Sequence, residues 1–392
     1  MNNEYQALTF DAELTAEQQT TLKQMITFTQ TAMTQPEHAV FVLQGEAGTG
    51  KSVLLNHFFA QMAQKVEAPR FLVNHPELLK VYRQIAGATP GLLKKFFERP
   101  TTFINKAHKQ NTQVDLAVID EAHLLLSKAD HYNNYYGNNQ LADIINLSHV
   151  TILVFDPEQV LKTKSYWTTK RLQQVIGERP QQWVQLQQQF RLQAPVELLN
   201  WLNDFVSGEI IKPIELPATD YDFQVYDDAE AMRQQIVARN QEVGMARITA
   251  TSGYPSTLDG GKHYITEGQF KLPWDQYNFT SIPWAEQPQT IDEVGSIYTV
   301  QGFDLSYIGI IIGPPFYLTA DKRLGVNPEL ATDVEVFKHR ADLSGTDYEN
   351  SKVALLRNSL NVLLKRGVKG TYLYAHDPKL RDWLNQQENA SR

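Results

Sequence analysis

Residues 45–52, Gly45-Glu46-Ala47-Gly48-Thr49-Gly50-Lys51-Ser52, follow the spacing of a phosphate-binding loop: a glycine, four residues, then Gly-Lys-Ser. Glycines let the backbone curl until its N–H groups face an anion, and a helix N-terminus behind the loop adds partial positive charge. In such a loop Gly45, Gly48, Thr49 and Gly50 form the cradle, Lys51 reaches the β- and γ-phosphates, and the Ser52 hydroxyl holds Mg²⁺. The bland alternative is a chance glycine-rich turn. Further along stands a carboxylate pair, Asp120-Glu121. Asp120 suits Mg²⁺ binding through water, and Glu121 suits orienting the water that attacks a γ-phosphate. That glutamate favours hydrolysis over a small-molecule kinase, where no water need be activated. Asp156-Pro157-Glu158-Gln159 is a third group; Gln159 could sense the γ-phosphate, or the four residues form a plain polar turn.

Elements that can position these residues are legible around them. Ala39–Leu43 is a β-branched and apolar run that reads as a buried parallel strand, and a helix is expected from about Lys51. Arg70–Asn74, Leu116–Ile119 and Val150–Phe155 read as further strands, the last two running into the carboxylates. Ahead of the loop, Thr15 and Gln18 have capping-box spacing for a helix reaching Thr31. Residues 130–140, rich in Asn and Tyr, read as an exposed loop. A second block starts near Pro195, with helices over Val196–Phe205 and Ala229–Glu242 and strands at Arg247–Thr251, Ser306–Ile312 and Gly370–Ala375. Strands alternating with helices predict an α/β fold with parallel sheets, in two halves of similar size.

Composition sets outer bounds. The 392 residues suffice for two domains, and 42% apolar residues suffice for real cores. There is no cysteine, so disulfides, thiolate metal sites and cysteine nucleophiles are excluded. The start Met1-Asn2-Asn3-Glu4-Tyr5 shows no signal peptide, and Tyr307–Phe316 is too short to span a bilayer, so a cytoplasmic protein with no membrane partner is expected. A net charge of −8 argues against nucleic-acid affinity over the whole surface and leaves room for a local basic groove.

The order of these motifs resembles superfamily 1 helicases. Gln18, the loop 45–52, Asp120–His123, Asp156–Gln159, Gln189–Arg191, Thr299–Asp304 and Val362–Gly367 stand where that superfamily has its adenine-reading glutamine and motifs I to VI. More narrowly, the chain resembles the Schlafen group 3-like DNA/RNA helicase domain family. That likeness is carried by Asn74-His75-Pro76, Phe103–Lys106, Lys271–Trp274, Ile297–Asp304 and Arg366–Tyr372, and it spans about residues 14–376. It implies two RecA-like domains, 1–194 and 195–392, and an ATPase using ATP and Mg²⁺. It also implies base contact by Gln18, γ-phosphate contacts by Arg191 and Arg366, and coupling and ribose contacts by Gln301, Gly302 and Asp304. The capping box explains Gln18 equally well. Phe155 and Lys365 depart from the superfamily's usual glycine and threonine.

Superfamily 1 motors hold a single strand of DNA or RNA with stacked aromatics and phosphate contacts. Candidates here are Phe96, Phe97, Phe103, Trp167, Trp274 and Trp284, with Lys94, Lys95, Lys106, Lys109, Lys162, Lys164 and Lys170; for any one of them the preferred reading places the aromatic in the core or the lysine on a solvated face. The leading expectation is a helicase-like ATPase acting on single-stranded nucleic acid. Its competitor is an ATP-switched binding or scaffold protein without unwinding activity.

Overall fold

The computed structural model describes residues 13–390 apart from 47, 187–191, 210–212, 214–216, 256–260, 277–279, 281, 301–302, 334–335 and 341. The chain divides into two compact units, Met1–Val160 with Lys164–Phe190, and Leu161–Thr163 with Arg191–Arg392. Each has its own buried apolar core.

In the first unit the strands are β1 (Ala39–Gln44), β2 (Pro69–Val73), β3 (Phe97–Glu98), β4 (Val114–Asp120), β5 (Ser148–Phe155) and β6 (Gln181–Gln185). Among the described residues they form one sheet in the order β3-β2-β4-β5-β1-β6, every pairing parallel. Val40–Leu43 and Ile152–Phe155 are completely buried, as expected of strands covered on both faces. The covering helices include α1 (Ala16–Ala32), α2 (Lys51–Met62) and α3 (Pro76–Ala88). Thr15 and Gln18 close a full capping box at the start of α1. The strand order decides where chemistry can occur. β4, β5 and β1 are neighbours and run the same way, so Asp120 at the end of β4, Asp156 just after β5 and the glycine loop after β1 meet at one sheet edge.

Two stretches of this unit differ from the sequence expectation. Residues 130–140 are not simply exposed: Asp130 and Tyr135 pair across a β-bridge, and buried Tyr135 donates to Asp143 Oδ2 at 2.7 Å. Only Tyr132 and Tyr136 of its tyrosines face solvent. The basic–aromatic stretch beginning at Leu92 folds into β3 and the helix Pro100–Gln110, and its rings turn inward.

The second unit holds β7 (Asp222–Val225), β8 (Ala246–Ala250), β9 (His263–Glu267), β10 (Phe270–Trp274), β11 (Val294–Gly295), β12 (Leu305–Ile312) and β15 (Gly367–Ala375), besides a small hairpin of β13 (Phe316–Leu318) and β14 (Leu324–Val326). The main sheet runs β7-β15-β12-β8-β11-β10-β9 among the described residues and is parallel except for the β9–β10 hairpin. That hairpin is absent from the sequence reading. Its signal was a two-residue Gly268-Gln269 turn, with Gly268 at φ 59°. Leu161–Thr163 packs into this unit: Thr163 N–H donates to Val336 O at 2.9 Å, and Arg340 Nη1 donates to Thr163 O at 2.7 Å.

Candidate nucleotide site

The glycine loop has the backbone its residues predict. Gly48 at φ 85° and Gly50 at φ 76° occupy the left-handed region, which costs a residue with a Cβ about 1–2 kcal/mol. Space is short as well: a Cβ on Gly45 would lie 2.6 Å from Thr49 Oγ1, and one on Gly50 would lie 2.2 Å from Gln18 Nε2. Gln18 is buried with both ends of its carboxamide engaged. Its oxygen accepts from Thr15 N–H at 3.0 Å, and its nitrogen donates to Thr49 O at 3.4 Å. A testable consequence follows for Gly50→Ala. It should lower stability by about 1–2 kcal/mol through the left-handed backbone alone, plus a steric part that vanishes in a Gln18→Ala background. Denaturant midpoints of the two single variants and the double variant separate the two parts.

Lys51, the first residue of α2, is buried, and its Nζ donates to Gly45 O and Glu46 O at 2.6 Å each. The same nitrogen lies 3.6 Å from Asp156 Oδ2. Asp156 in turn accepts from Gln159 Nε2 at 2.7 Å and from Glu158 N–H at 3.1 Å. Lys51, Asp156 and Gln159 are thus joined in one buried polar chain, and a buried charge needs such partners.

Ser52 Oγ donates to Asp120 Oδ1 at 3.3 Å. Asp120 is fully buried, and its other oxygen accepts from Tyr82 Oη at 2.6 Å. Burial first, and the Glu121 charge second, push the Asp120 carboxyl up from 3.8 to about 6, although the Tyr82, Ser52 and Glu121 N–H hydrogen bonds oppose the shift. Tyr82 moves the same way: burial and the Asp120 charge hold its phenol well above its ordinary value, so it remains a donor. Nothing local marked Tyr82 in the sequence; it looks like any core aromatic of an amphipathic helix. Glu121 sits at φ 54°, ψ 50°, a conformation rare outside glycine. Its Oε2 is 3.0 Å from the Nε2 of fully buried His123. Asn74 Nδ2 donates to Leu124 O at 2.6 Å and ties the end of β2 to this turn.

A loop too tight for Cβ atoms, a buried lysine beside it and a hydroxyl on a carboxylate make a donor set that fits a triphosphate with its Mg²⁺. The model for the Schlafen group 3, DNA/RNA helicase domain, matches residues 38–377. The chain belongs to this family. Among its relatives, the uncharacterized protein YPL245W of Saccharomyces cerevisiae is 36% identical over 411 residues, covering 95% of this chain and 90% of that protein. Similar solved structures include the Pif1 helicase of Candida albicans, at 13% identity and a TM-score of 0.36 over 97% of this chain and all of that one. Another is Saccharomyces cerevisiae Dbp5 bound to Nup159, Gle1, IP6 and ADP, at 10% identity and a TM-score of 0.39 over 97% and 92% of the two chains.

This Schlafen group 3 chain is of the α/β class expected, with largely parallel sheets in both units. In the second unit Arg366 is buried just before β15; its Nη1 lies 3.5 Å from Phe303 O and 3.7 Å from Asp304 Oδ1. Asp304 just precedes β12, so the parallel pairing of β12 with β15 brings the two side chains together. Arg191, Gln301 and Gly302 lie outside the described residues. Of the two readings of the candidate stacking aromatics, the structure bears out the one that places them in the core. Phe97, Phe103, Trp167, Trp274 and Trp284 are core residues, and Phe96 is half-buried against the core. Trp167 Nε1 even donates to Leu125 O, at 2.7 Å. Of the candidate lysines, Lys106 pairs with Glu98 at 2.8 Å and Lys164 with Asp130 at 2.9 Å. No helix among the described residues is long and apolar enough to cross a membrane.

Proposed function

We propose that this chain is an Mg²⁺- and ATP-dependent hydrolase of helicase type that acts on single-stranded nucleic acid. The observation that carries the reading is the meeting of Ser52 and Asp120 at 3.3 Å beside the buried, loop-bound Lys51. Mg²⁺, when bound, neutralises charge on the transferring phosphoryl group; Ser52 and Asp120 are the residues that would hold it. Gly45, Gly48, Thr49 and Gly50 present the loop to the phosphates, and Lys51 trades its loop carbonyls for phosphate oxygens. Glu121 orients the attacking water, with the His123 ring 3.0 Å from its carboxylate. Gln159, held on Asp156, responds to the charge that Lys51 meets. Gln18, Arg191, Arg366, Gln301, Gly302 and Asp304 are assigned to the nucleotide by their motif positions in the family.

The alternative, an ATP-switched binding protein that does not unwind, draws support from the burial of the candidate stacking rings and from the acidic balance of −8. ATP hydrolysis by the purified chain, with and without single-stranded DNA or RNA oligonucleotides, separates the two. Stimulation of at least about tenfold by one of them, weakening as salt rises, is the motor's result. Hydrolysis indifferent to both is the switch's result. No magnesium-dependent hydrolysis above the Lys51→Ala blank overturns the ATPase reading.

A further inference from the structure

The carboxylate at the end of β4 has a partner that the phosphate-loop motifs do not include. Tyr82, on α3, is completely buried, and its hydroxyl donates to Asp120 Oδ2 at 2.6 Å, shorter than the 3.3 Å bond from Ser52 to Oδ1. Its ring is fixed independently of that bond. It lies 4.8 Å from the Phe71 ring and stacks on Phe97 at 6.1 Å, with Phe59 completing the cluster. A ring with two torsions, locked by packing, sets its hydroxyl in one place.

We propose that Tyr82 is a positioning residue for Asp120: by occupying Oδ2 it leaves Oδ1 as the oxygen turned toward Ser52 and thus toward magnesium bound with nucleotide. The inference rests on the nucleotide site proposed above. Without the phenol, Ser52 Oγ and Glu121 N–H still hold Oδ1, at 3.3 and 3.0 Å, but Oδ2 is released and the carboxylate plane can swing about its terminal torsion, which is soft in aspartate. Partners that orient ligands in this manner are worth about 10- to 100-fold in metal affinity. Tyr82 itself touches neither metal nor nucleotide.

The test uses Tyr82→Phe, which removes one oxygen and keeps the ring. Binding of a methylanthraniloyl-labelled ADP is followed by fluorescence in EDTA and across a magnesium titration. The expected result is a rise of about tenfold or more in the half-saturating magnesium concentration, with affinity in EDTA unchanged. A merely structural role would weaken both affinities together, and an unchanged magnesium dependence would equally overturn the proposal. Asp120→Asn supplies the second arm. In that background Tyr82→Phe should have no further effect on the magnesium dependence, and an additive effect counts against action through Asp120. If the wild-type chain binds the labelled nucleotide neither with nor without magnesium, the reading of the site fails, which is distinguishable from failure of the role given to Tyr82.

Discussion

Lys51→Ala is expected to reduce ATP hydrolysis by roughly 10²–10³-fold or more, the range seen when one preorganised charge donor is lost from a transition state. The argument is electrostatic. Lys51 is buried, and its ammonium sits on two carbonyl oxygens at 2.6 Å and beside the Asp156 carboxylate at 3.6 Å. A triphosphate is a better partner than two neutral carbonyls, so binding exchanges contacts to neutral oxygens for contacts in which both donor and acceptor are charged. The same variant has a second, opposing consequence in the empty protein. Asp156 is buried and keeps its bonds from Gln159 and Glu158 but loses the nearby cation. Removing one partner of a buried charge pair costs about 3–5 kcal/mol where the pair is tight, and at 3.6 Å the loss should fall below that. Lys51→Ala should therefore unfold at a lower temperature than wild type and gain nothing from added Mg·ATP. Ligand-dependent thermal unfolding checks this directly. A variant that retains near-normal hydrolysis would remove Lys51 from the site.

What could be read from the sequence was local. The glycine loop announces itself because its backbone needs glycine at Gly48 and Gly50, and the flanking apolar runs give strand and helix within a few residues. The sheet class followed because the central runs of β1, β4 and β5 are buried on both faces and so are written largely in apolar residues. Contacts across long separations were not readable. Tyr82 and Asp120 are 38 residues apart, and nothing near either announces the other. The aromatic residues between Leu92 and Lys106 admitted two readings for a related reason. A ring beside a lysine is written the same way whether it faces solvent or, like Phe97, packs under Phe71 at 5.2 Å. Gln18 is the instructive intermediate: the capping box was legible, and the same carboxamide also reaches the Thr49 carbonyl, a contact across 31 residues that was not.

Asp120→Asn should stabilise the metal-free protein while weakening its response to magnesium-bound nucleotide. Asp120 is fully buried next to Glu121, and its carboxyl is pushed up from 3.8 to about 6. The native state therefore holds a proton that the unfolded state has released between those two values, and stability falls as pH rises through that window. Above about pH 6 both states are ionised and the full penalty applies, about 3 kcal/mol at most for such a displacement. An asparagine carries no charge to desolvate, and the Tyr82 hydroxyl can accept from its amide as readily as it donates to a carboxylate. At pH 7.5 in EDTA the variant should melt several degrees above wild type, at roughly 2–4 °C per kcal/mol for a unit of this size. The gap should close as pH is lowered from about 6 toward 4. Adding Mg·ADP narrows or reverses the gap, because the wild type gains more binding free energy than the variant. A variant that melts below wild type at pH 7.5, or a gap that ignores pH, would mean that the Asp120 charge is not a cost borne for metal binding. The two outcomes separate a carboxylate held in the site against its own solvation from one that merely pairs with Ser52 and Tyr82 to hold β4 in place.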